Sequence, residues 1–294
     1  MRVHIGNSQL RAEISTRGAE LVRLQDETGQ DLLWNADPAY WPEHAPLLFP
    51  IVGRVKNNKA RFGDREYDMP LHGFARTMEF AAEDSSDERC TFSLAASDAT
   101  LRHYPFPFRL TIGYRVVQST LEVTACISNE GETVLPASFG FHPGFRWPLP
   151  YGGDRNEHEI RFQHTEPAPV RRLLQGLLGE DKHATPVKDR RLTLRDDLFR
   201  ANAIIWDELR SEQVDYGAPG GRSLRVSFSG MPHLGVWTVP GAEFICIEPW
   251  HGFSSPDGFE GELKDKPGTF LVPPKGSRRF AMQVTLLEAS ADTF

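Results

Sequence analysis

The chain has 294 residues, of which 39% are hydrophobic and 25% charged, and 33 Lys and Arg residues against 40 Asp and Glu residues give a formal net charge of -7. This composition is typical of a globular chain with enough apolar residues for a large core. The anionic excess disfavours a general nucleic-acid-binding protein, because phosphate binding requires clustered cations. We expect one domain over residues 1–294 rather than two smaller ones.

The cysteines and the N-terminus bear on the cellular compartment. Cys90, Cys126 and Cys246 lie far apart without a CxxC pair, which argues against a disulfide framework and against a structural zinc site. The first seven residues lack the apolar run of a secretory signal, and no window reaches the roughly 20 apolar residues that span a bilayer. We therefore expect a cytoplasmic monomer or homodimer that binds neither membrane nor nucleic acid.

Alternation of apolar and polar residues dominates the chain and predicts half-buried β-strands. No comparably long stretch shows a helical stripe, and the 25 Gly and 22 Pro residues are scattered as turn residues. The pattern predicts an all-β protein, a large antiparallel sandwich of stacked sheets with few short helices. The clearest predicted strands cover residues 108–116, 121–128, 224–229 and 280–286.

Two early segments place ionisable residues beside glycines. Arg54 follows the apolar stretch Leu48–Gly53, and its guanidinium has the donors to bind hydroxyls or a carboxylate, although a solvated arginine at a strand end explains it equally well. His72 precedes Gly73, which would let the backbone approach a ligand closely. His72 can bind a hydroxyl or serve as a structural histidine beside a turn.

The segment Ala137–Phe145 contains a further histidine. If the segment is a strand, Phe139 and Phe141 point to the core, and small residues lead up to His142 on the opposite face. That arrangement leaves room for a substrate in front of His142. A histidine, whose ordinary pKa is about 6.5, suits proton transfer near neutral pH.

The segment Glu243–Gly252 places a carboxylate among apolar residues. Alternation puts Cys246, Glu248 and Trp250 on one face of the predicted strand. Burial would raise the pKa of Glu248 and make it a better base, whereas a carboxylate paired with a cation at a strand end is the structural alternative. Trp250 offers a flat apolar surface of the kind on which a sugar ring stacks.

The chain contains five motifs in this order: Gly18–Leu21, Leu48–Arg54, His72–Arg76, Gly140–Pro143 and Cys246–Trp250. Together they resemble the aldose 1-epimerase (galactose mutarotase) family, and within it the branch often called LacX-like. The resemblance extends from about residue 10 to about residue 287. It implies a β-supersandwich and the cofactor-free interconversion of the α and β anomers of an aldose.

The resemblance also implies roles for individual residues. Glu248 resembles the family's general base and His142 its general acid, and we expect the two to face one pocket from opposite edges. His72 resembles the histidine that holds the substrate near the ring oxygen, and Arg54 resembles the arginine that contacts sugar hydroxyls. No metal is implied, and no ligand spacing supports one that joins His72, His142 and Glu248.

One position departs from the family pattern, and it bears on sugar preference. Where the family often has an aspartate that holds hydroxyls, the best placement here puts Asn202, which can donate as well as accept; Asp207 is the alternative.

Two other functions stay open for a chain of this kind. Arg54 and Arg76 would suit a phosphate clamp in an enzyme acting on a hexose 6-phosphate, although Arg76 in a structural ion pair is the simpler interpretation. The second is a sugar-binding or sensory protein without turnover. A glycosidase is disfavoured, because hydrolysis usually needs a carboxylate pair.

Overall fold

A computed structural model describes residues 1–289, whose regular secondary structure is predominantly β-strand. The helical elements are short: the α-helix α1 (Asp98–Leu101) and the 3-10 turns Lys56–Asn58, Ala75–Thr77, Arg155–Glu157, Asp196–Phe199 and Leu263–Asp265. The strands are β1 (Arg2–Gly6), β2 (Leu10–Ser15), β3 (Glu20–Asp26), β4 (Leu47–Leu48), β5 (Lys59–Phe62), β6 (Arg65–Asp68), β7 (Ala81–Ser85), β8 (Arg89–Ala95), β9 (Phe108–Val117), β10 (Thr120–Asn129), β11 (Leu135–Ala137), β12 (Phe139–Phe141), β13 (Gly144–Arg146), β14 (Glu159–Phe162), β15 (Leu173–Leu174), β16 (Leu177–Leu178), β17 (Arg191–Thr193), β18 (Ile204–Trp206), β19 (Gln213–Gly217), β20 (Ser223–Ser229), β21 (His233–Trp237), β22 (Phe244–His251), β23 (Phe270–Val272) and β24 (Ser277–Leu287).

Two large antiparallel sheets dominate the fold. The first has nine strands in the order β17-β14-β19-β20-β24-β10-β9-β8-β7. The second has the order β18-β21-β22-β12-β4, with β13 also paired to β22. A smaller sheet, β1-β2-β3, and the pairs β11-β23, β15-β16 and β5-β6 complete the strand pairing. The predicted all-β, antiparallel architecture is confirmed.

The two large sheets pack against each other through aromatic and aliphatic side chains. Phe139 on β12 stacks on Phe280 of β24, with ring centroids 5.4 Å apart. Ile245 and Ile247 on β22 join the same core cluster and are fully buried. Burying these faces stabilises the fold, at about 25 cal/mol per Å² of apolar surface. The alternate residues of β12 and β22 therefore point away from the core, and they include the predicted site residues.

The strand predictions agree with this arrangement. The four predicted strands correspond to β9, β10, β20 and β24, each of which extends one or more residues further. The segment 137–145 is not one strand: it is divided into β11, β12 and β13. Its faces are nevertheless as predicted, since Phe139 and Phe141 lie in the core. No helix within residues 1–289 is long and apolar enough to cross a membrane.

A buried histidine at the start of β21 makes the stability of the fold sensitive to acid. His233 is buried, and its Nδ1 accepts a hydrogen bond of 3.0 Å from the amide of Gly252. Burial, together with the charges of His251 and Lys266, lowers the pKa of His233 from 6.5 to about 3. Between these two values the unfolded chain binds a proton that the folded chain does not, so the free energy of unfolding falls as the pH falls.

We predict that His233→Asn makes the free energy of unfolding less dependent on pH below 6.5. The asparagine oxygen can still accept from Gly252, but the titrating group is gone. The slope should fall by up to about 1.4 kcal/mol per pH unit, the value of one proton, which is reached where the histidine of the unfolded chain is fully protonated. Urea unfolding of both proteins between pH 7 and pH 5 measures it, and equal slopes would contradict the role given to His233.

Candidate active site

Strand alternation in β22 sets up the site. Ile245 and Ile247 point into the core, so Cys246 and Glu248 leave the opposite face side by side. The Glu248 side chain is only 2% exposed. A carboxylate removed from water to this degree is costly unless a partner stabilises its charge.

That partner is His142, which follows the neighbouring strand β12. Its Nε2 lies 3.0 Å from Oε2 of Glu248, and its side chain is 8% exposed. The two groups are in direct contact, rather than on opposite edges of a pocket as expected from the sequence. Trp41 packs against the imidazole with ring centroids 5.0 Å apart, and Trp237 at 5.9 Å. The pair is therefore enclosed by aromatic rings.

His72 lies beside His142, with ring centroids 5.5 Å apart. Its Nδ1 is 3.0 Å from the amide of Gly53, which can only donate, so the imidazole proton is on Nε2. Burial lowers the pKa of His72 well below 6.5, and the charges of His142, Arg76 and Arg54 act in the same direction. His72 is therefore a neutral ring that offers one N–H donor.

The turn that presents His72 has left-handed backbone, with φ of 62° at His72 and 73° at Gly73. A Cβ on residue 73 would lie 2.1 Å from the carbonyl oxygen of Phe49. Gly73 thus permits a close approach to the Phe49 backbone and not to a ligand, as had been expected from the sequence. Phe49 and Gly73 form a parallel bridge that joins the two motifs.

The two predicted arginines have different environments. Both guanidinium groups act electrostatically on His72. Arg54 donates from Nη1 to Asn58 Oδ1 at 2.9 Å, and its Nε has no hydrogen-bond partner among residues 1–289. Arg76 donates from Nη1 to both carboxylate oxygens of Glu43, at 2.7 and 2.6 Å. The structural ion pair considered for Arg76 is therefore present.

Trp250 lies flat against the sheet. A Cβ on either Gly140 or Gly235 would come within 2.5 Å of the indole, so both positions require glycine. The side chain is buried in a cluster with Leu178 of β16 and Phe253, and only 5% of Trp250 is exposed. The flat face expected to carry a sugar ring is covered in this structure.

The two residues considered for hydroxyl binding make local contacts. Asn202 is exposed with a φ of 68°, and its Oδ1 accepts a hydrogen bond of 2.7 Å from the amide of Ala203. Asp207 forms an ion pair of 2.9 Å with Arg171. Neither contact involves His142 or Glu248, and neither tests whether the side chain binds a sugar hydroxyl. Hydroxyl binding by Asn202 or Asp207 therefore stays a prediction.

Besides Trp237, three residues that the sequence did not assign to the site belong to it by contact. Trp41 and Glu43 lie on one loop, Trp41 against His142 and Glu43 against Arg76. The sulfur of Cys246 lies within 4.8 Å of ligand atoms of His142 and Glu248. Burial raises the pKa of its thiol well above 9, and the charges of Glu248 and Glu43 raise it further. Alternation already places Cys246 on the same predicted face as Glu248, and this was the sequence signal that could have assigned Cys246 to the site.

Comparisons with known proteins identify the family of this chain. A family model described as Aldose 1-epimerase matches residues 1–264. The chain belongs to the aldose 1-epimerase family. Protein LacX (chromosomal) from Lactococcus lactis subsp. lactis is 31% identical over 300 residues, covering 98% of this chain and 100% of the relative. The predicted family is confirmed.

Structural comparison gives the same family fold. The galactose mutarotase related enzyme from Lactobacillus acidophilus superposes with a TM-score of 0.92 at 29% identity, covering 100% of both chains. The predicted galactose mutarotase-like fold is confirmed. A more distant relative, named "Putative glucose-6-phosphate 1-epimerase" from Salmonella typhimurium, is 22% identical over 263 residues, with 83% of this chain and 81% of the relative covered.

We predict that alanine at either glycine under Trp250 destabilises the protein. A methyl group at position 140 or 235 forces the indole away from the sheet, and overpacking of this kind costs about 1–3 kcal/mol. Gly258→Ala is the matched control, because the nearest atom to a Cβ there, Glu180 Oε1, is at an ordinary 3.6 Å. Chemical denaturation measures all three variants. The account of Trp250 fails if Gly235→Ala is no less stable than Gly258→Ala.

Proposed function

We propose that this protein is an aldose 1-epimerase that interconverts the α and β anomers of an unphosphorylated aldose, with Glu248 as general base and His142 as general acid. The observation that carries the proposal is the buried contact of 3.0 Å between the two groups. The reaction must deprotonate the anomeric hydroxyl and protonate the ring oxygen. Since both oxygens are bonded to one carbon, the two groups that serve them must lie close together.

The proton balance is simple. Glu248 takes the proton of the anomeric hydroxyl as His142, entering as imidazolium, protonates the ring oxygen and the ring bond breaks. Rotation about the bond from C1 to C2 turns the aldehyde. The hydroxyl formed from the ring oxygen then attacks the other face of the aldehyde carbon. It returns its proton to His142 while Glu248 protonates the carbonyl oxygen. Each positioned transfer contributes roughly 10²–10⁴-fold to the rate.

The neighbouring residues suit substrate orientation. His72 has its proton on Nε2, so it donates to an oxygen of the substrate without competing with His142 as the acid. Arg54 retains an Nε without a partner among the described residues, and its fork of donors suits sugar hydroxyls. The aromatic rings of Trp41 and Trp237 exclude water around His142, which strengthens the electrostatic interactions of the pair.

Glu248→Gln removes the base with little change of shape. We predict a loss of roughly 10²–10⁴-fold in catalysed mutarotation, and His142→Ala should be similarly damaging. Polarimetry on a panel of aldoses, with anomer exchange followed by NMR, measures both. Cys126→Ser, which lies on β10 in the other sheet, is the control and should be silent.

Two outcomes of this experiment would count against the base assignment. One is an unchanged rate for Glu248→Gln. The other is sugar binding by the native protein without any acceleration of anomer exchange, which would favour a binding or sensory protein.

A hexose 6-phosphate is the competing substrate class, and the distant relative named as a glucose-6-phosphate 1-epimerase is the observation that favours it. The contact between Arg76 and Glu43 argues against it here. Both carboxylate oxygens accept from the guanidinium, and the two side chains are only 21% and 26% exposed. A phosphate would have to displace Glu43 and lie beside its negative charge. The pair therefore supports a neutral sugar as the substrate.

We predict that Glu43→Gln shifts specificity towards phosphorylated sugars. Freeing Arg76 for a charge-assisted contact of about 1.5–3 kcal/mol should raise kcat/KM for glucose 6-phosphate relative to glucose by roughly 10–100-fold. Asp215→Asn is the matched control, since Asp215 forms a two-contact pair with Arg225 on the nine-stranded sheet. Equal changes for both sugars, or a native preference for the phosphate, would refute the role of Glu43.

A further inference from the structure

Cys246 is a buried thiol that the proposed reaction does not use. It precedes Glu248 by two residues on β22, so both side chains leave the same face of the strand. One ligand atom each from His142, Cys246 and Glu248 lies within 4.8 Å of the others, and all three residues are buried. As whole residues, Cys246 and Glu248 are 0% and 1% exposed. A thiol, an imidazole and a carboxylate thus converge on one point of the sheet.

These three groups form a recognised set of metal ligands. Zinc binds cysteine sulfur at about 2.3 Å and histidine nitrogen or carboxylate oxygen at about 2.0–2.2 Å, which places tetrahedral ligands roughly 3.5 Å apart. His142 and Glu248 already meet at 3.0 Å. The sulfur of Cys246 lies within 4.8 Å of the other two ligand atoms, so it needs to move by at most about 1.5 Å to reach the tetrahedral spacing. A rotation of the side chain supplies such a movement.

The hydrogen bonding at this point leaves the ligands available. Oε2 of Glu248 contacts Nε2 of His142 at 3.0 Å and has no further hydrogen-bond partner within residues 1–289, so a cation would replace this one contact and satisfy the buried carboxylate. His72 does not belong to the set. Its Nδ1 accepts from the amide of Gly53 and its Nε2 carries the proton, so neither nitrogen has a free lone pair for a cation. The ligand set therefore differs from the His72, His142 and Glu248 combination considered from the sequence.

We propose that Cys246, His142 and Glu248 bind one thiophilic divalent cation, such as Zn²⁺, at the floor of the active site. Three protein ligands leave a fourth position for water. The cation occupies the lone pairs of Glu248 and His142, so neither group can transfer a proton while it is bound. Inhibition of anomer exchange rests on the proposed function, whereas cation binding itself does not.

Binding is tested first and without any activity measurement. Equilibrium dialysis of the metal-free protein against ZnCl₂ should give one Zn²⁺ per chain, and Co²⁺ should give the near-ultraviolet charge-transfer band of a cobalt–thiolate bond. Cys246→Ser should abolish the band and weaken Zn²⁺ binding at least tenfold. Cys90→Ser, which changes a buried thiol on β8, is the matched control and should retain both. Zn²⁺ binding that is equally tight without the Cys246 thiol would overturn the proposal, as would no binding in excess metal.

Inhibition is tested second, with each variant compared to its own metal-free rate. Zn²⁺ should suppress aldose mutarotation by the native protein, and a chelator should restore it. The Zn²⁺ concentration for half-inhibition should rise at least tenfold in Cys246→Ser and stay unchanged in Cys90→Ser. If the protein has no mutarotase activity, the proposed function fails while the dialysis and Co²⁺ results still decide the metal site. Full activity with Zn²⁺ bound at the thiol would overturn the blocking role.

Discussion

The contact between His142 and Glu248 is the constraint on which the site depends. A carboxylate that is 2% exposed has lost nearly all of its hydration, and its charge needs compensation from within the protein. The imidazole provides this at 3.0 Å. The cost is tolerable because the other face of the same strands buries Ile245, Ile247 and Phe139 against the nine-stranded sheet. One face of the second sheet is thus devoted to stability, which leaves the other available for chemistry.

Strand alternation is the part of this design that a sequence reveals. A period of two assigns every residue of β22 to a face once any one of them is known to be buried. The apolar side chains of Ile245 and Ile247 fix that choice and thereby place Cys246 and Glu248 together. The same reasoning separates Phe139 and Phe141 from His142. The antiparallel fold and the sharing of faces were therefore predictable from local pattern alone.

Contacts made across strands and by loops were not predictable in this way. Glu43 and Arg76 are 33 residues apart, and no periodicity relates a loop residue to its partner. Trp41 reaches His142 from that same loop. The burial of Trp250 in a cluster that includes Leu178 depends on where the β15-β16 hairpin packs, which an alternating pattern does not encode. The direct contact of His142 with Glu248 likewise follows from the pairing of two separate strands.

The two histidines of the site, His72 and His142, have different electrostatic environments. Burial and the nearby cations disfavour a charge on His72, and the amide of Gly53 fixes its proton on Nε2. His142 instead contacts the carboxylate of Glu248 at 3.0 Å. In the proposed mechanism the first ring is a neutral donor and the second is the acid, and their different environments suit these different roles. Glu43 compensates the charge of Arg76, which supports the proposal of a substrate without charge.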